Sequence, residues 1–112
     1  MNRICPVETT LSLIGGKYKA LILWHLSTET LRFSQLQKAV TATPRMLTLQ
    51  LRELEADGLI TRTVYPEVPP RVEYAMTDLA RSLMPILPAI RDWGAEYLRG
   101  KDIEPNCVMM ET

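Results

Sequence analysis

Arg45, Thr48, Leu49 and Arg52 are the residues of this chain whose types and spacing best suit recognition chemistry. They lie in the stretch TPRMLTLQLRELEADG, residues 43–58, and at 100° per residue all four fall on one helical face. Two guanidinium groups, a hydroxyl and one apolar side chain on such a face can read DNA. Thr43, at the head of the same stretch, joins them as a candidate contact. Arg71 closes a proline-rich segment, where it either reaches a phosphate or the minor groove or remains a solvated loop arginine. Lys17 and Lys19 open an apolar segment and either touch phosphates or form a solvated helix end.

Other chemistries find little support. His25 is the one histidine; with no cysteine or carboxylate at ligand spacing it reads as a hydrogen-bonded structural residue, not a metal ligand or a base. Gly15-Gly16 lacks the glycine spacing and the Lys-Ser/Thr of a phosphate cradle. No nucleophile stands beside a base, so an enzyme is disfavoured and no metal or cofactor is expected.

The elements that must hold the reading face follow from local signals. Thr43 can cap a helix and Pro44 suits its first position, while Gly58 tolerates the left-handed conformation that ends one. Leu47, Leu51 and Leu54 supply the buried stripe. Before it, Phe33, Leu36 and Val40 share a face, and Ser34 with Gln37 reads as a capping box that starts a short helix at about Gln35. Thr41 to Thr43 leaves room only for a tight turn. The two segments therefore form a helix-turn-helix whose second helix is the reader.

Around this pair, residues 17–26 (KYKALILWHL) are apolar nearly all round, marking a buried central helix. Pro6 opens a first helix with Val7, Leu11 and Ile14 on one stripe, and Gly15-Gly16 ends it. After Gly58, residues 59–65 and 71–77 read as two strands joined by the loop PEVPP, since proline cannot donate to a ladder. This hairpin makes a wing. Thr77-Asp78 starts a final helical region in which Leu79, Leu83, Ile86, Ile90, Trp93 and Tyr97 recur at heptad-like steps, with a break near Met84 forced by Pro85 and Pro88. Such a seam suggests a second copy of the chain, joined through Ile86, Ile90, Trp93 and Tyr97 together with Leu11 and Ile14. Residues 101–112 show little periodicity and read as a mobile tail.

The 112 residues, 46% hydrophobic and 23% charged, suffice for one domain. The 13 basic and 13 acidic side chains cancel, which counts against nucleic-acid binding, but their distribution is uneven. Residues 1–62 carry 8 Lys+Arg against 5 Asp+Glu, and residues 63–112 carry 5 against 8. The basic half holds the reader. Two distant cysteines, Cys5 and Cys107, make no disulfide framework, and no stretch has the length of a signal-peptide core or a membrane span. A reduced, cytoplasmic protein is expected.

Residues CPVETTLSLIGGKYKALILWHL, LRELEADGLITRTVYPEVPPRVEYAMT and Trp93-Gly94 resemble, in order and at the expected separations, the HxlR-type winged helix-turn-helix transcriptional regulators, relatives of the MarR group. The resemblance covers roughly residues 5–100 and implies an α+β, mostly α fold: a winged helix-turn-helix domain over residues 1–100, with a two-stranded wing and dimerisation helices at about 6–15 and 78–99. It implies a homodimer on double-stranded DNA at a palindromic operator, with no membrane partner and an unknown effector. It also implies a possible redox or electrophile sensor at Cys5, since a helix N-terminus favours a thiolate; filling a gap at a dimer interface is the plainer role for that residue. The sequence departs from the pattern at Tyr18, where a Trp is usual, and at Leu49, often a polar position. With zero net charge, Leu49 keeps open the alternative of a winged-helix protein-interaction module without specific DNA binding.

Overall fold

The computed structural model describes residues 4–111; the expectations for residues 1–3 and for Thr112 lie outside them. Helix α2 (Lys19–Leu26) is the element on which the others close. Its Ile22, Leu23 and Leu26 are buried, and it packs against α1 (Pro6–Ile14), α3 (Phe33–Val40), α4 (Pro44–Ala56) and strand β3 (Arg71–Met76). The core adds Ile14, Leu36, Val40, Leu47, Leu51, Leu54, Leu59, Ile60 and Tyr74. Burying each large apolar side chain is worth about 1.5–3 kcal/mol, so this cluster holds the helix-turn-helix as one body.

Helix α4 is bounded as its sequence predicts. Thr43 accepts from the Met46 N–H at 3.2 Å, and Pro44 stands where no N–H is needed. At the other end Gly58 adopts φ +78°, and the N–H groups of Gly58 and Leu59 donate to the carbonyls of Glu55 and Leu54. That pairing is a Schellman closure, which satisfies carbonyls the helix leaves free. Leu47, Leu51 and Leu54 face inward as expected.

Helix α3 begins two residues before the expected start. The capping interaction comes from Gln35, whose side chain accepts from the Arg32 N–H at 2.8 Å; Ser34 lies inside the first turn, not at the cap. The two-residue displacement was invisible because Ser34-x-x-Gln37 and Arg32-x-x-Gln35 both carry a glutamine at the third helical position. Thr41, at φ 55°, ends the helix, and the turn to Thr43 is as short as predicted.

The wing strands β2 (Ile60–Tyr65) and β3 pair antiparallel from Ile60↔Met76 to Tyr65↔Arg71. The sheet has a third strand, β1 (Leu31–Arg32), in the order β1-β3-β2. The wing itself is two-stranded as expected; β1 had no signal in the sequence, because two residues cannot display an alternation. Thr77 then caps α5 (Asp78–Arg81), accepting from the Ala80 N–H while its hydroxyl donates to the Gly58 carbonyl at 2.8 Å. The chain breaks where Pro85 and Pro88 require, and α6 runs from Ile86 to Arg99.

The tail is folded back. Beyond Asp102, at φ 58°, residues 103–111 return and end in a 3-10 turn, Val108–Glu111, packed on α2. Met109 is buried, and its carbonyl accepts from Arg91 at 3.2 Å. The sequence showed no such return, because a single buried methionine and a side-chain bond to one carbonyl produce no period.

Candidate nucleic-acid interface

The polar face of α4 is open to solvent. Arg45, Leu49 and Arg52 are exposed, Thr48 is half-buried, and with Pro44 they line one shallow recess. Among the described residues neither Arg45 nor Arg52 makes a hydrogen bond or an ion pair, so both guanidinium groups keep their full donor sets. Seven residues separate them, about 10 Å along the axis at 1.5 Å per residue, or roughly three base-pair steps. The Thr48 hydroxyl donates to the Pro44 carbonyl at 2.8 Å, which leaves its oxygen as an acceptor. The Thr43 oxygen is engaged as the helix cap.

Two predicted contacts are placed differently. Lys19 is buried, its side chain 6% exposed, and its ammonium pairs with Glu53 of α4; it braces α4 from the side and is not available to a phosphate. The sequence concealed this because Glu53 is distant in the chain and lies on the inner flank of α4. Lys17 remains exposed, its ammonium 5.4 Å from the Tyr18 ring centroid. Arg71 is not a free loop arginine: its guanidinium stacks 4.1 Å from the Tyr65 ring centroid, with Glu67 at 3.6 Å and Glu73 at 3.9 Å. To reach DNA it must leave two carboxylates.

Sequence reasoning overlooked Arg62. On β2 it shares a face with buried Ile60, stands opposite Tyr74 across the ladder, and its Nε donates to Glu55 of α4 at 3.3 Å. Thr48, Leu51, Arg52, Glu55, Arg62 and Tyr74 together line a second recess, continuous with the first through Thr48 and Arg52. Period-two alternation from Ile60 was the signal that could have found it. Burial pushes the Tyr74 phenol above its ordinary pKa; Arg62 lowers it, Glu55 raises it and Arg52 lowers it, by smaller amounts.

Helices α1 and α6 present an apolar face elsewhere. Leu11, Ile86, Ile90, Trp93 and Tyr97 are exposed, Trp93 by 71%, and Trp93 stacks on Tyr97 with centroids 5.5 Å apart. Pro6, Val7, Thr10, Leu11, Ile86 and Ile90 line one depression, so α1 and the start of α6 border a common hollow. Ile14 departs from expectation: 6% exposed, it belongs to the chain's own core, because the last turn of α1 already lies over α2. Cys5 sits at the N-cap of α1, half-buried and free, and forms no side-chain cap. Cys107 is free as well. The Nε2 of His25 is buried with no hydrogen-bond partner among the described residues, so the expected hydrogen bond is not made there. No group of metal-ligating side chains is found among those residues, and no helix is long and apolar enough to cross a membrane.

Residues 13–102, which span this helix-turn-helix and wing, match the HxlR-like helix-turn-helix family model. The chain belongs to the HxlR-like helix-turn-helix family. It is similar to YdeP, an uncharacterized HTH-type transcriptional regulator of Bacillus subtilis (strain 168), at 53% identity over 83% of this chain and 73% of that protein. Among solved structures it resembles the redox regulator HypR in its oxidized form, with 49% identity, a TM-score of 0.75 and coverage of 80% of this chain and 94% of that one. A chain from Porphyromonas gingivalis W83 assigned to the MarR family matches at 35% identity and TM-score 0.76, over 84% of this chain and 93% of its own. This HxlR-like protein is thus a transcriptional regulator with a winged helix-turn-helix fold, related to the MarR group.

Proposed function

We propose that this HxlR-like protein binds double-stranded DNA as a homodimer, placing one α4 in each of two major-groove half-sites of a palindromic operator. The observation that carries the reading is the pair Arg45 and Arg52 on the solvent face of α4, without partners among the described residues. In a core or a protein interface arginines of this kind are found with carboxylates; left free on a helix that follows a tight turn, they suit guanine edges and phosphates. Leu49, 49% exposed between them, supplies an apolar contact of the sort a thymine methyl accepts. Lys17 and the wing with Arg71 would add phosphate contacts. The exposed face of Leu11, Ile86, Ile90, Trp93 and Tyr97 would join two copies, setting the readers about 34 Å apart. Cys5 is the thiol through which an oxidant or electrophile would act, a reading supported by its place at a helix N-terminus and by the similarity to HypR.

Selection of bound duplexes from a random pool tests this directly. A two-fold symmetric consensus is expected, and Arg45→Ala or Arg52→Ala should each cost about 1–3 kcal/mol on it and blur preference at one base pair. Binding to random duplex should weaken steeply with salt. A protein that enriches no sequence and shows a flat salt response is an interaction module, with Leu49 as part of its docking face.

A further inference from the structure

Arg62 and Glu55 form the one side-chain bridge between the wing strands and α4 among the ion pairs of the described residues, and it opens onto the same recess as Arg52. Both partners are substantially exposed, Arg62 by 47% and Glu55 by 39%. The bridge is therefore too solvated to add much stability. Its geometry is more informative. Glu55 takes the Nε of Arg62, and no described residue bonds its two terminal nitrogens. A guanidinium engaged through Nε turns its far edge, two parallel N–H bonds, away from the carboxylate; that edge matches two oxygens of one phosphate. Arg52, one turn before Glu55 on α4, brings a second guanidinium to the same recess. The buried Tyr74 closes its floor.

We infer that Arg62 is a DNA-backbone contact at the C-terminal end of the recognition helix, and that Glu55 is a positioning residue that aims its guanidinium at a phosphate. The inference rests on the DNA-binding reading above. Its logic is one of placement. When α4 lies in a major groove, the elements beside it face the sugar-phosphate walls, and Arg62 rises from such an element, the base of the wing, next to the last turn of α4. An arginine there can fix register and carries little base information. Glu55 costs the recess one negative charge, yet the two arginines leave it net positive, and the carboxylate replaces a freely rotating side chain with an aimed one.

The test compares wild type, Arg62→Gln, Arg62→Lys, Glu55→Gln and the Glu55→Gln/Arg62→Lys double variant, binding a random-sequence duplex and a selected one over a range of salt. Arg62→Gln is expected to make the slope of log affinity against log salt shallower by about 0.9, one phosphate's worth, with the ratio of selected to random binding unchanged. Arg62→Lys should restore that slope, since the charge returns, but remain about tenfold weaker at fixed salt because an ammonium cannot present the aimed edge. Glu55→Gln should weaken binding likewise, and the double variant should be no weaker than Arg62→Lys alone. An unchanged slope in Arg62→Gln overturns the phosphate contact. Tighter binding by Glu55→Gln makes the carboxylate a repellent and overturns its positioning role. A wild type with no salt slope removes the DNA-binding reading and this inference together, whereas a steep wild-type slope that Arg62→Gln leaves intact removes this inference alone.

Discussion

Ile90 offers the most direct access to the proposed dimer, and through it to the operator geometry. It stands on α6 beside Leu11 and Ile86 and is 49% exposed, so roughly half of its burial energy is still unrealised in a single chain. Full burial of such a side chain is worth about 1.5–3 kcal/mol, which leaves about 0.7–1.5 kcal/mol per copy for association. A two-fold interface counts the residue twice, giving about 1.5–3 kcal/mol, or roughly a 10- to 150-fold rise in the dimer dissociation constant for Ile90→Ala. Ile90→Glu should do more, since each carboxylate must also be desolvated, and should populate monomers at micromolar concentration. The fold should survive, because the core of Ile22, Leu23, Leu26, Leu36, Leu47 and Leu54 lies elsewhere. Light scattering across a dilution series gives the mass, and circular dichroism checks helicity. Monomeric wild type at micromolar concentration, or a fully dimeric Ile90→Glu protein, would refute the α1/α6 interface and the half-site spacing drawn from it.

Three further outcomes are expected. Gly16→Ala should destabilise the fold by about 1–3 kcal/mol, read as a lower urea midpoint at unchanged m-value, because a Cβ there would stand 2.2 Å from Oε1 of Gln50, which is buried; an unaltered midpoint would show that Gln50 can yield. Alkaline stability should respond to Tyr74: burial raises its folded-state pKa above the ordinary 10.0, so the unfolded chain loses this proton first and stability, intact below pH 10, falls as pH rises through the folded value. Tyr74→Phe should lessen that fall, and an identical alkaline profile in both proteins would contradict it. Mild oxidation should change DNA affinity in wild type and not in Cys5→Ser, while a response persisting in Cys5→Ser would move the sensing role away from Cys5, with Cys107 the remaining thiol.

What the sequence made legible was local or periodic. Thr43, Pro44, Gly58 and the leucines of α4 each act within a few residues, so α4 and its open face could be placed from residue types alone. Pro85 and Pro88 marked their break for the same reason. What escaped depends on partners far apart in the chain. Lys19 looks like a helix-end cation until Glu53 is brought to it; Arg71 looks free until Tyr65, Glu67 and Glu73 fold around it; Arg62 looks like one strand residue among several until Glu55 reaches it. Ile14 and Leu11 are both large aliphatic residues of one stripe, yet the first is in the core and the second on the surface, because a stripe announces that a face is buried without saying by what.

The placement of Lys19 also changes how the reader relates to the rest of the chain. The connector between α1 and α2 passes directly behind α4: Gly16 lies against Gln50, and Lys19 pairs with Glu53 one turn further along. Around α4, Gln50 lies about 140–160° and Glu53 about 80–100° from Arg45 and Arg52, so the helix is braced on the side that leads to α1. Buried contacts of this kind do not bend gradually; they hold one arrangement or give way to another. In the proposed dimer, a shift of α1 at the subunit interface would therefore reach α4 through Gly16–Gln50 and Lys19–Glu53. Lys19→Met separates that brace from plain stability. Glu53, 44% exposed, can rehydrate when its partner is removed, so loss of the pair should cost little folding energy, about 1 kcal/mol or less. If the brace sets the angle of α4, binding to a two-half-site operator should nonetheless fall while binding to random duplex stays near wild type, since only the former requires both readers in register. Equal losses on the two duplexes would mean that Lys19–Glu53 holds the helix in place without governing its angle.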